Sequence, residues 1–407
     1  MNPAAAVPQI RLLADDLTGA LDSAAAFAGS VHVHLDQAPQ GGADEGVQAV
    51  ATATRDVAVA ALLQRLAGVL DWLAGAGLAF KKVDSLLRGN TFAECAWLAR
   101  SGGFDGLVFA PAFPAQGRLT QAAQQYLLRP AAAAAAAPGE AQRTPVGPAI
   151  DQAFAALGLA VCRGAEPPQP GAAGAGPVVW VPDVLGDADL LQLALRTLPG
   201  AQALPGRWLW CGSAGLAQAL AAARLRVAAN SHPAATPPQP VPPPPPRGRP
   251  AGALMLGASH HPVVRRQWAR LRQAWPQALQ VEAGDARQFA VACEALRQPF
   301  DVAALELSPL QRLDAQQAAL LLQQQLAQLL ACRRRPGLLL VVGGDSLLAC
   351  CRASGARSLR TLAALRPGWG HALLVGGAWD GLECHSRSGA FGDDDDLQQM
   401  LAQSLAG

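Results

Sequence analysis

The sequence predicts an α/β protein of two domains, each built on a mainly parallel sheet. Its 407 residues exceed what one ordinary compact core holds. Short apolar runs alternate with longer amphipathic segments, which is the pattern of βαβ units. One proline-rich stretch divides the chain, so we place the domains at residues 1–230 and 251–407 and a linker at residues 231–250.

The predicted linker, Ser231–Pro250, contains 10 of the 32 prolines of the chain. Proline at this density neither pairs in a sheet nor continues a helix, and it favours an extended polyproline spacer. A proline-rich ligand for a partner domain is the alternative.

A second low-complexity stretch, Arg129–Pro145, is poly-alanine bounded by prolines, and we expect a short helix or a surface insertion there.

Each predicted strand is a short apolar run that ends in a polar or glycine-rich loop. The strands of the first domain are IRLLADD, the run LAGAGLAF, GLVFAPAF, PVVWVPD and RWLWCGSAG, and those of the second are ALMLGASHH and GLLLVVGGDS. The predicted helices are ALDSAAAFA, TFAECAWLARSG, DADLLQLALRTL and LDAQQAALLLQQQLAQLLACRRR. Ligands of open α/β sheets bind beyond the carboxyl ends of the strands, so the loops after these runs are the places to search for a site.

Composition excludes several classes of protein. The 32 basic residues nearly balance the 30 acidic ones, which gives no electrostatic reason to expect binding to nucleic acid or to an anionic membrane. We find neither a signal peptide nor an apolar run long enough to span a bilayer. The eight cysteines show no C-x-x-C pair and no zinc spacing. We therefore expect a cytoplasmic protein with reduced thiols.

Two carboxylates follow the first predicted strand directly. Asp15 and Asp16 could orient hydroxyl groups, hold a magnesium-bound phosphate or accept a proton. The alternative is that Asp16 caps the following helix and Asp15 is solvated, because aspartate is a favoured N-cap residue. The loop lacks G-x-G-x-x-G, which argues against a dinucleotide site.

A charged cluster lies in KKVDSLLRGN, between a predicted strand and a predicted helix. Lys82, Asp84, Ser85 and Arg88 fall within seven residues, and the two cations suit a carboxylate or a phosphate. A solvated turn is the alternative.

Arg55 in TATRDV is either a further anion ligand or a surface arginine. The loop FAPAFPAQGRLT, stiffened by prolines, is either a binding edge or a structural turn.

Three loops of the second domain join glycine to a small hydroxyl residue. They are GASHHPVVRRQ, VVGGDSLLACC and HSRSGAFGDDD. Backbone N–H groups that glycine leaves accessible at a helix N-terminus bind phosphate without net positive charge. We predict a nucleotide site here that is not a P-loop, since G-x-x-x-x-G-K-[ST] is absent.

These segments, in this order, resemble the four-carbon acid sugar kinase family, whose members phosphorylate threonate, erythronate or their oxo-derivatives with ATP. The resemblance covers nearly the whole chain except the poly-alanine stretch and the linker. It depends on ADDLTGA, TATRD, KKVDSLLRGN with TFAE, APAFPAQGR and GSAGLA in the first domain, and on GAS followed by Gln267, GGDS, PGW and SRSGAFGD in the second.

The resemblance implies a sugar-acid domain followed by a nucleotide domain, with the active site in the cleft between them. It implies phosphorylation of the terminal hydroxyl of the acid, with ATP and Mg²⁺ as cofactors, and it allows a homodimer. No residue is assigned as a metal ligand. The residues carried over are Asp16 and Asp84 as catalytic; Asp15, Arg55, Lys82, Ser85 and Arg88 as substrate-binding; and Ser259, Gly343, Gly344, Asp345, Ser346 and Gly389 as ATP-binding.

The chain departs from the family pattern at four places. Leu86 stands where threonine is common, Ser346 replaces a threonine, and Arg387 stands where lysine is common. The segment QAAQQYLLRPAAAAAAAP replaces a glycine-rich one. These departures leave the identity of the acid open. They also leave open a catalytically silent sugar-acid or nucleotide-binding sensor or scaffold, while an NAD-dependent oxidoreductase lacks its fingerprint.

Overall fold

The structure is a computed structural model that describes residues 8–27, 29–39, 46–129, 142–168, 176–198, 203–231, 252–311, 313–332, 335–363, 365–366, 368–389 and 392–406. Contacts between residues divide the chain into two units, Met1–Ala28 with Asp36–Gln239 and Gly29–Leu35 with Pro240–Gly407. The second unit therefore includes a short segment from the first half of the chain. Most of the predicted linker and most of the poly-alanine stretch lie outside the described residues.

Strands and helices alternate along much of the chain. The strands are β1 (Ile10–Ala14), β2 (His32–Leu35), β3 (Val47–Ala51), β4 (Leu78–Lys82), β5 (Gly106–Ala110), β6 (Arg118–Gln121), β7 (Gln124–Arg129), β8 (Gln142–Val146), β9 (Val161–Arg163), β10 (Val178–Val181), β11 (Trp208–Gly212), β12 (Ala253–Gly257), β13 (Leu279–Val281), β14 (Val302–Glu306), β15 (Leu338–Val342), β16 (Ser358–Thr361), β17 (Gly370–Val375) and β18 (Glu383–Arg387). The helices are α1 (Leu17–Ala24), α2 (Val59–Ala74), α3 (Thr91–Ser101), α4 (Ile150–Ala156), α5 (Asp187–Leu195), α6 (Ala214–Ser231), α7 (Pro262–Ala274), α8 (Ala286–Ala295), α9 (Ala315–Ala331), α10 (Gly344–Ser354) and α11 (Asp396–Ala406).

The first unit is built on a parallel sheet with the strand order β3-β1-β4-β11-β5-β10-β9. Strands β1, β4, β5, β10 and β11 are nearly or wholly buried, because a parallel sheet in an α/β fold is covered on both faces. This burial explains why these strands are nearly continuous apolar runs in the sequence. The predicted α/β class with a mainly parallel sheet is confirmed.

Strand order sets the position of the candidate site in this unit. The chain passes from β1 to β3 on one side and then to β4 on the other side, so β1 lies at a topological switch point. Ala14, the last residue of β1, is paired with Ala51 of β3 and with Lys82 of β4. The loops after these three strands therefore begin side by side at one edge of the sheet.

A second sheet of the first unit, β6-β7-β8, is antiparallel and was not predicted from the sequence. A two-residue loop, Ala122–Ala123, joins β6 to β7, and both alanines have positive φ, 49° and 59°. That geometry is a type I′ turn, which normally takes glycine or asparagine. Gln125, at the start of β7, is fully buried: it accepts from Thr120 Oγ1 at 2.6 Å and donates to the carbonyl of Ser85 at 2.9 Å.

The two lysines that end β4 lie on opposite faces of the sheet, as strand alternation requires. Lys81 Nζ makes an ion pair of 2.6 Å with Glu94 Oε2 on α3, and both side chains are almost completely buried. Burial lowers the pKa of Lys81, but the charge of Glu94, together with smaller contributions from Asp15, Cys95 and the hydrogen bond to Glu94, raises it overall. Removing one partner of such a pair is destabilising by about 3–5 kcal/mol. Lys81 therefore fixes α3 to the end of β4, while Lys82 faces α1.

The second unit has five parallel strands followed by antiparallel ones, in the order β13-β14-β12-β15-β18-β17-β16-β2. Strand β2 comes from the first half of the chain and pairs with β16, with His34 opposite Ser358. Met255, Trp268 and Leu340 belong to the apolar core. Strand β12 lies at a second switch point, between β14 and β15. Among the described residues, no helix is long and apolar enough to span a membrane.

We predict that Ala122→Gly stabilises the protein. Ala122 is exposed and left-handed, and the left-handed conformation is unfavourable by about 1–2 kcal/mol for a residue with a Cβ atom. Part of that gain is offset by the larger entropy of glycine in the unfolded chain, which leaves about 0.5–1 kcal/mol. The urea midpoint of the full chain should rise.

The matched control is Ala67→Gly, at an exposed position inside α2. There glycine should lower the midpoint, because it is less favourable than alanine in a helix by about 1 kcal/mol. A decrease of the midpoint for both variants would contradict the assigned turn.

Candidate active site

The centre of the candidate site in the first unit is a network of two carboxylates and one guanidinium. Arg55 donates from Nε to Asp15 Oδ2 at 2.8 Å and from Nη2 to Asp15 Oδ1 at 3.1 Å. The same Nη2 also binds Asp16 Oδ2. Asp15 is buried, and Arg55 is about one-fifth exposed, 19% of its side chain. The structure thus brings Asp15, Asp16 and Arg55 together.

Asp16 has a second role as the N-cap of α1. Its Oδ1 accepts from Gly19 N at 2.7 Å and from Thr18 Oγ1 at 2.6 Å. Burial raises the pKa of Asp16, but the charges of Arg55 and Lys82 outweigh burial. The two hydrogen bonds lower the pKa further, so it lies well below the usual range for aspartate. The capping alternative is therefore correct in part, and the carboxylate is ionised at neutral pH.

Lys82 approaches this network from β4. It is buried, and its Nζ donates to the carbonyl of Val83 at 3.0 Å. Gly19 makes the approach possible, because a Cβ atom there would lie 2.9 Å from Lys82 Nζ and 2.7 Å from Asp16 Oδ2. The glycine of the ADDLTGA segment therefore leaves room for an ammonium group beside Asp16.

Asp22 is a further carboxylate of α1 that the sequence analysis did not select. Loss of hydration raises the pKa of Asp22; the charge of Lys82 opposes this shift and the charge of Asp16 adds to it. The side chain nevertheless keeps solvent-accessible surface. The available signal was its place four residues after Thr18 and three after Gly19, because positions i and i+3 to i+4 share a helix face.

Asp84 and Arg88 form a second ion pair, in the loop after β4. Arg88 donates from Nε to Asp84 Oδ2 at 2.7 Å and from Nη2 to Oδ1 at 2.8 Å, and its backbone N–H donates to Oδ2 at 3.0 Å. Burial raises the pKa of Asp84, but the hydrogen bonds from Arg88 and the charge of Arg55 lower it overall. Arg88 is half-exposed at 49%, so its outer face can still meet a ligand. Ser85 is partly buried beside this pair.

The last two residues of KKVDSLLRGN hold the Arg55 loop. Asn90 Nδ2 donates to the carbonyls of Thr54 and Val57, both at 2.9 Å, and Asn90 N donates to the carbonyl of Arg55 at 3.1 Å. Gly89 has a φ of 71°, and a Cβ atom there would lie 2.4 Å from the Arg55 carbonyl oxygen. The Gly-Asn pair is therefore a support for Arg55, and sequence reasoning missed it.

The loop after β5 is a compact turn. Gly117 has a φ of 69° and ends a short 3₁₀ turn. Arg118 is buried and donates from Nη1 to the carbonyl of Gln116 at 3.1 Å and to its Oε1 at 2.5 Å. Burial lowers the pKa of Arg118; the charge of Asp84 opposes this shift and the charge of Arg88 adds to it. This loop therefore lies near the Asp84–Arg88 pair.

In the second unit, loops after β12, β15 and β18 meet at the other switch point. Ala258 N donates to Ser346 Oγ at 3.2 Å, which joins the loop after β12 to the start of α10. Gly389 lies against Ser259, since a Cβ atom on Gly389 would be 2.8 Å from Ser259 Oγ. The structure thus brings Ser259, Ser346 and Gly389 together, as the strand order predicts.

The N-terminus of α10 has the geometry of an anion-binding site. Gly343 is its N-cap, with a φ of 103° that only glycine adopts without strain. The first-turn N–H groups of an α-helix have no partner within the helix, and the helix dipole is positive there. Asp345 is exposed in this turn, where its carboxylate would repel a bare phosphate but suits a metal-bound one.

Arg387 is buried and ion-paired instead of open to solvent. Its Nε lies 3.1 Å from Asp396 Oδ2, and its Nη2 donates to Gln267 Oε1. Its guanidinium carbon lies 5.3 Å from the ring centroid of Trp369. Arginine at this family lysine position therefore has its charge balanced by Asp396.

A family model described as "Sugar-binding N-terminal domain" matches residues 10–220. The first unit contains nearly all of these residues and the network of Asp15, Asp16 and Arg55.

Two relatives are similar to parts of the chain. A D-threonate kinase from Bordetella bronchiseptica is 34% identical over 287 residues, 66% of this chain and 63% of the relative. A D-threonate kinase from Cupriavidus necator is 41% identical over 116 residues, 27% of each chain. The chain thus matches less than two thirds of the length of either relative. Both matches confirm the resemblance to four-carbon acid sugar kinases.

Two solved structures share the fold. One, from Salmonella typhimurium LT2, has a TM-score of 0.66 at 20% identity and covers 97% of this chain and 99% of its own. The other, a Haemophilus influenzae protein of family model DUF1537, has a TM-score of 0.63 at 17% identity and covers 97% and 100%. The chain belongs to the family of proteins that carry the sugar-binding N-terminal domain.

Proposed function

We propose that the chain is an ATP-dependent kinase that phosphorylates the terminal hydroxyl of a four-carbon sugar acid. The observation that carries the proposal is the pair of carboxylates, Asp15 and Asp16, held by Arg55 beside Lys82 at the switch point of the first unit. The two D-threonate kinase relatives support the reaction class and make D-threonate the first substrate to test.

A sugar acid presents a carboxylate at one end and a primary hydroxyl at the other. Arg55 is occupied by Asp15 and Asp16, so its charge mainly balances theirs. Lys82, whose Nζ makes a hydrogen bond to a neutral carbonyl, is better placed to bind the carboxylate of the substrate. Arg88 is paired with Asp84 through Nε and Nη2, but it is half-exposed and can add a contact from its outer face. Ser85 offers a hydroxyl for the middle of the acid.

The carboxylates orient the acceptor hydroxyl. The lowered pKa values of Asp16 and Asp84 make both groups weak bases that remain ionised at neutral pH. A loose phosphoryl-transfer transition state needs positioning and charge neutralisation more than a strong base. Asp16 therefore accepts a hydrogen bond from the hydroxyl and holds its oxygen in line with the γ-phosphate.

The nucleotide belongs at the start of α10. The N–H groups of Gly344, Asp345 and Ser346 lie in the first turn of that helix, where a phosphate is favoured by the helix dipole. Gly343 and Gly389 keep side chains away from the same place, and Ser259 adds a hydroxyl. Asp345 fits a metal ion bound to ATP, and such a Mg²⁺ ion would neutralise phosphate charge.

The proposal is tested by an ATP-consumption screen of the purified full-length chain. The acids are D-threonate, D-erythronate and their 3-oxo derivatives, and the control is threitol, which lacks the carboxylate. We expect ADP release with at least one acid and none with threitol. An absence of ATP consumption with every acid would contradict the kinase and favour a silent binding protein.

We predict that Asp16→Asn lowers kcat by about a hundredfold or more, which is within the range observed when a general acid–base side chain is removed. The amide keeps the size of the side chain but loses the charge that binds Arg55 and orients the hydroxyl. Steady-state kinetics at saturating ATP measure the effect. Asp71→Asn, at an exposed site on α2, is the control, and equal turnover of the two variants would exclude Asp16 from the mechanism.

We predict that Gly344→Val raises the KM for ATP about tenfold or more, a loss of about 1.4 kcal/mol, and leaves the KM for the acid unchanged. A branched side chain there blocks the close approach of phosphate to the helix N-terminus. Gly355→Ala is the control, because Gly355 caps the other end of α10 with a φ of 75°. Equal KM values for ATP in the two variants would contradict the proposed position of the nucleotide.

A further inference from the structure

Three side chains of the second unit that the proposed function does not use form a cluster on one face of the sheet. His371 lies on β17, directly opposite His385 of the antiparallel strand β18. Glu383 precedes His385 by two residues, so strand alternation places both on the same face. In the sequence the three residues match no zinc motif, because antiparallel pairing, not a short linear spacing, brings them together.

The donor atoms of this cluster are close enough to share one ion. His371 Nε2 lies 2.9 Å from Glu383 Oε1, and His385 Nε2 lies 3.6 Å from the same oxygen. All three donor atoms lie within 4.8 Å of one another. Donors around a tetrahedral zinc ion are about 3.3 Å apart, given bond lengths of about 2.0–2.1 Å. The two measured separations lie on either side of that value.

The hydrogen bonds of His371 require a positive species between it and Glu383. His371 Nδ1 lies 2.7 Å from the carbonyl oxygen of Ala363. A carbonyl only accepts, so Nδ1 carries the hydrogen, and in the neutral ring Nε2 carries the lone pair. That lone pair would face a carboxylate oxygen at 2.9 Å, which is repulsive unless a proton or a metal ion lies between them. A ring N–H that donates to a backbone carbonyl is also typical of a metal-bound histidine.

His385 adds an independent observation. Its side chain is 1% exposed. Its Nδ1 has no hydrogen-bond partner, and its Nε2 has only the long 3.6 Å approach to Glu383 Oε1. Buried polar groups without a hydrogen bond are rare and unfavourable. A metal bond from Nε2 would satisfy one of these atoms.

We propose that His371, Glu383 and His385 bind one divalent transition-metal ion of the zinc class. Two imidazoles and one carboxylate are a donor set that zinc uses and that magnesium and calcium, which prefer oxygen ligands, do not. The side chain of Glu383 is 24% exposed, which leaves solvent access for a fourth ligand. The imidazole rings of His371 and His385 stack with their centroids 4.2 Å apart and an angle of 22° between their planes. In this arrangement the two Nε2 lone pairs do not point at one position, so one ring would rotate when the ion binds.

The bound ion would join β17 to β18 and, through His371 Nδ1, to the segment at Ala363. This role is structural, and it is independent of whether the chain is a kinase. The ion is distinct from the Mg²⁺ of ATP, because the donor sets differ.

Isothermal titration of the metal-free full-length chain with zinc chloride tests the proposal. We expect about one zinc ion per chain and no response to magnesium chloride at the same concentration. His385→Gln and Glu383→Gln should each weaken zinc binding about a hundredfold or more, beyond the 10–100-fold typical of losing a group that only supports a ligand. His32→Gln is the matched control, since it removes one ring of a second stacked histidine pair, His32 and His34, and should bind zinc like the wild type.

Cobalt substitution separates the cluster from the eight cysteines. The visible spectrum of the cobalt-loaded wild type should show tetrahedral bands without the ultraviolet charge-transfer band of a thiolate ligand. Because it uses the wild type, this measurement stands even if a variant fails to fold. The proposal is wrong if the wild type binds no zinc, if zinc binding persists in His385→Gln, or if the thiolate band accounts for the bound cobalt.

Discussion

The ion pairs from Arg55 to Asp15 and Asp16 are the interaction on which the candidate sugar-acid site depends. Two adjacent carboxylates, one of them buried, would repel each other and lose hydration without a cation between them. Arg55 supplies that cation from the loop after β3, and Asn90 and Gly89 hold this loop from the segment after β4. Three strand ends thereby become one rigid site, and removing the guanidinium would leave uncompensated buried charge.

Much of the fold could be predicted from the sequence, because buried parallel strands are nearly continuous apolar runs such as those of β1, β5 and β15. Elements whose partners are distant could not be predicted. Strand β2 is short and only partly buried, and it pairs with β16 more than three hundred residues later. The turn at Ala122–Ala123 lacks the glycine that normally indicates a hairpin, so the small antiparallel sheet was missed.

The candidate site was predictable to the extent that strand ends concentrate ligands. That rule selected Asp15, Asp16 and Lys82, which the structure brings together around Arg55. The rule could not tell which of the two lysines at the end of β4 belongs to the site. Lys81 is buried in an ion pair with Glu94 on one face of the sheet, whereas Lys82 lies on the opposite face. The rule could not predict the His371–Glu383–His385 cluster, because only the register of β17 against β18 brings those residues together.

The most direct test of the central claim is the phosphorus NMR spectrum of the chain incubated with ATP, Mg²⁺ and D-threonate. Transfer to the terminal hydroxyl predicts a new monoester signal that the two protons of the adjacent methylene group split into a triplet. A monoester split into a doublet would show transfer to a secondary hydroxyl and contradict the orientation assigned to Asp16 and Lys82. Formation of ADP and inorganic phosphate without any phosphate monoester of the acid would contradict the kinase itself.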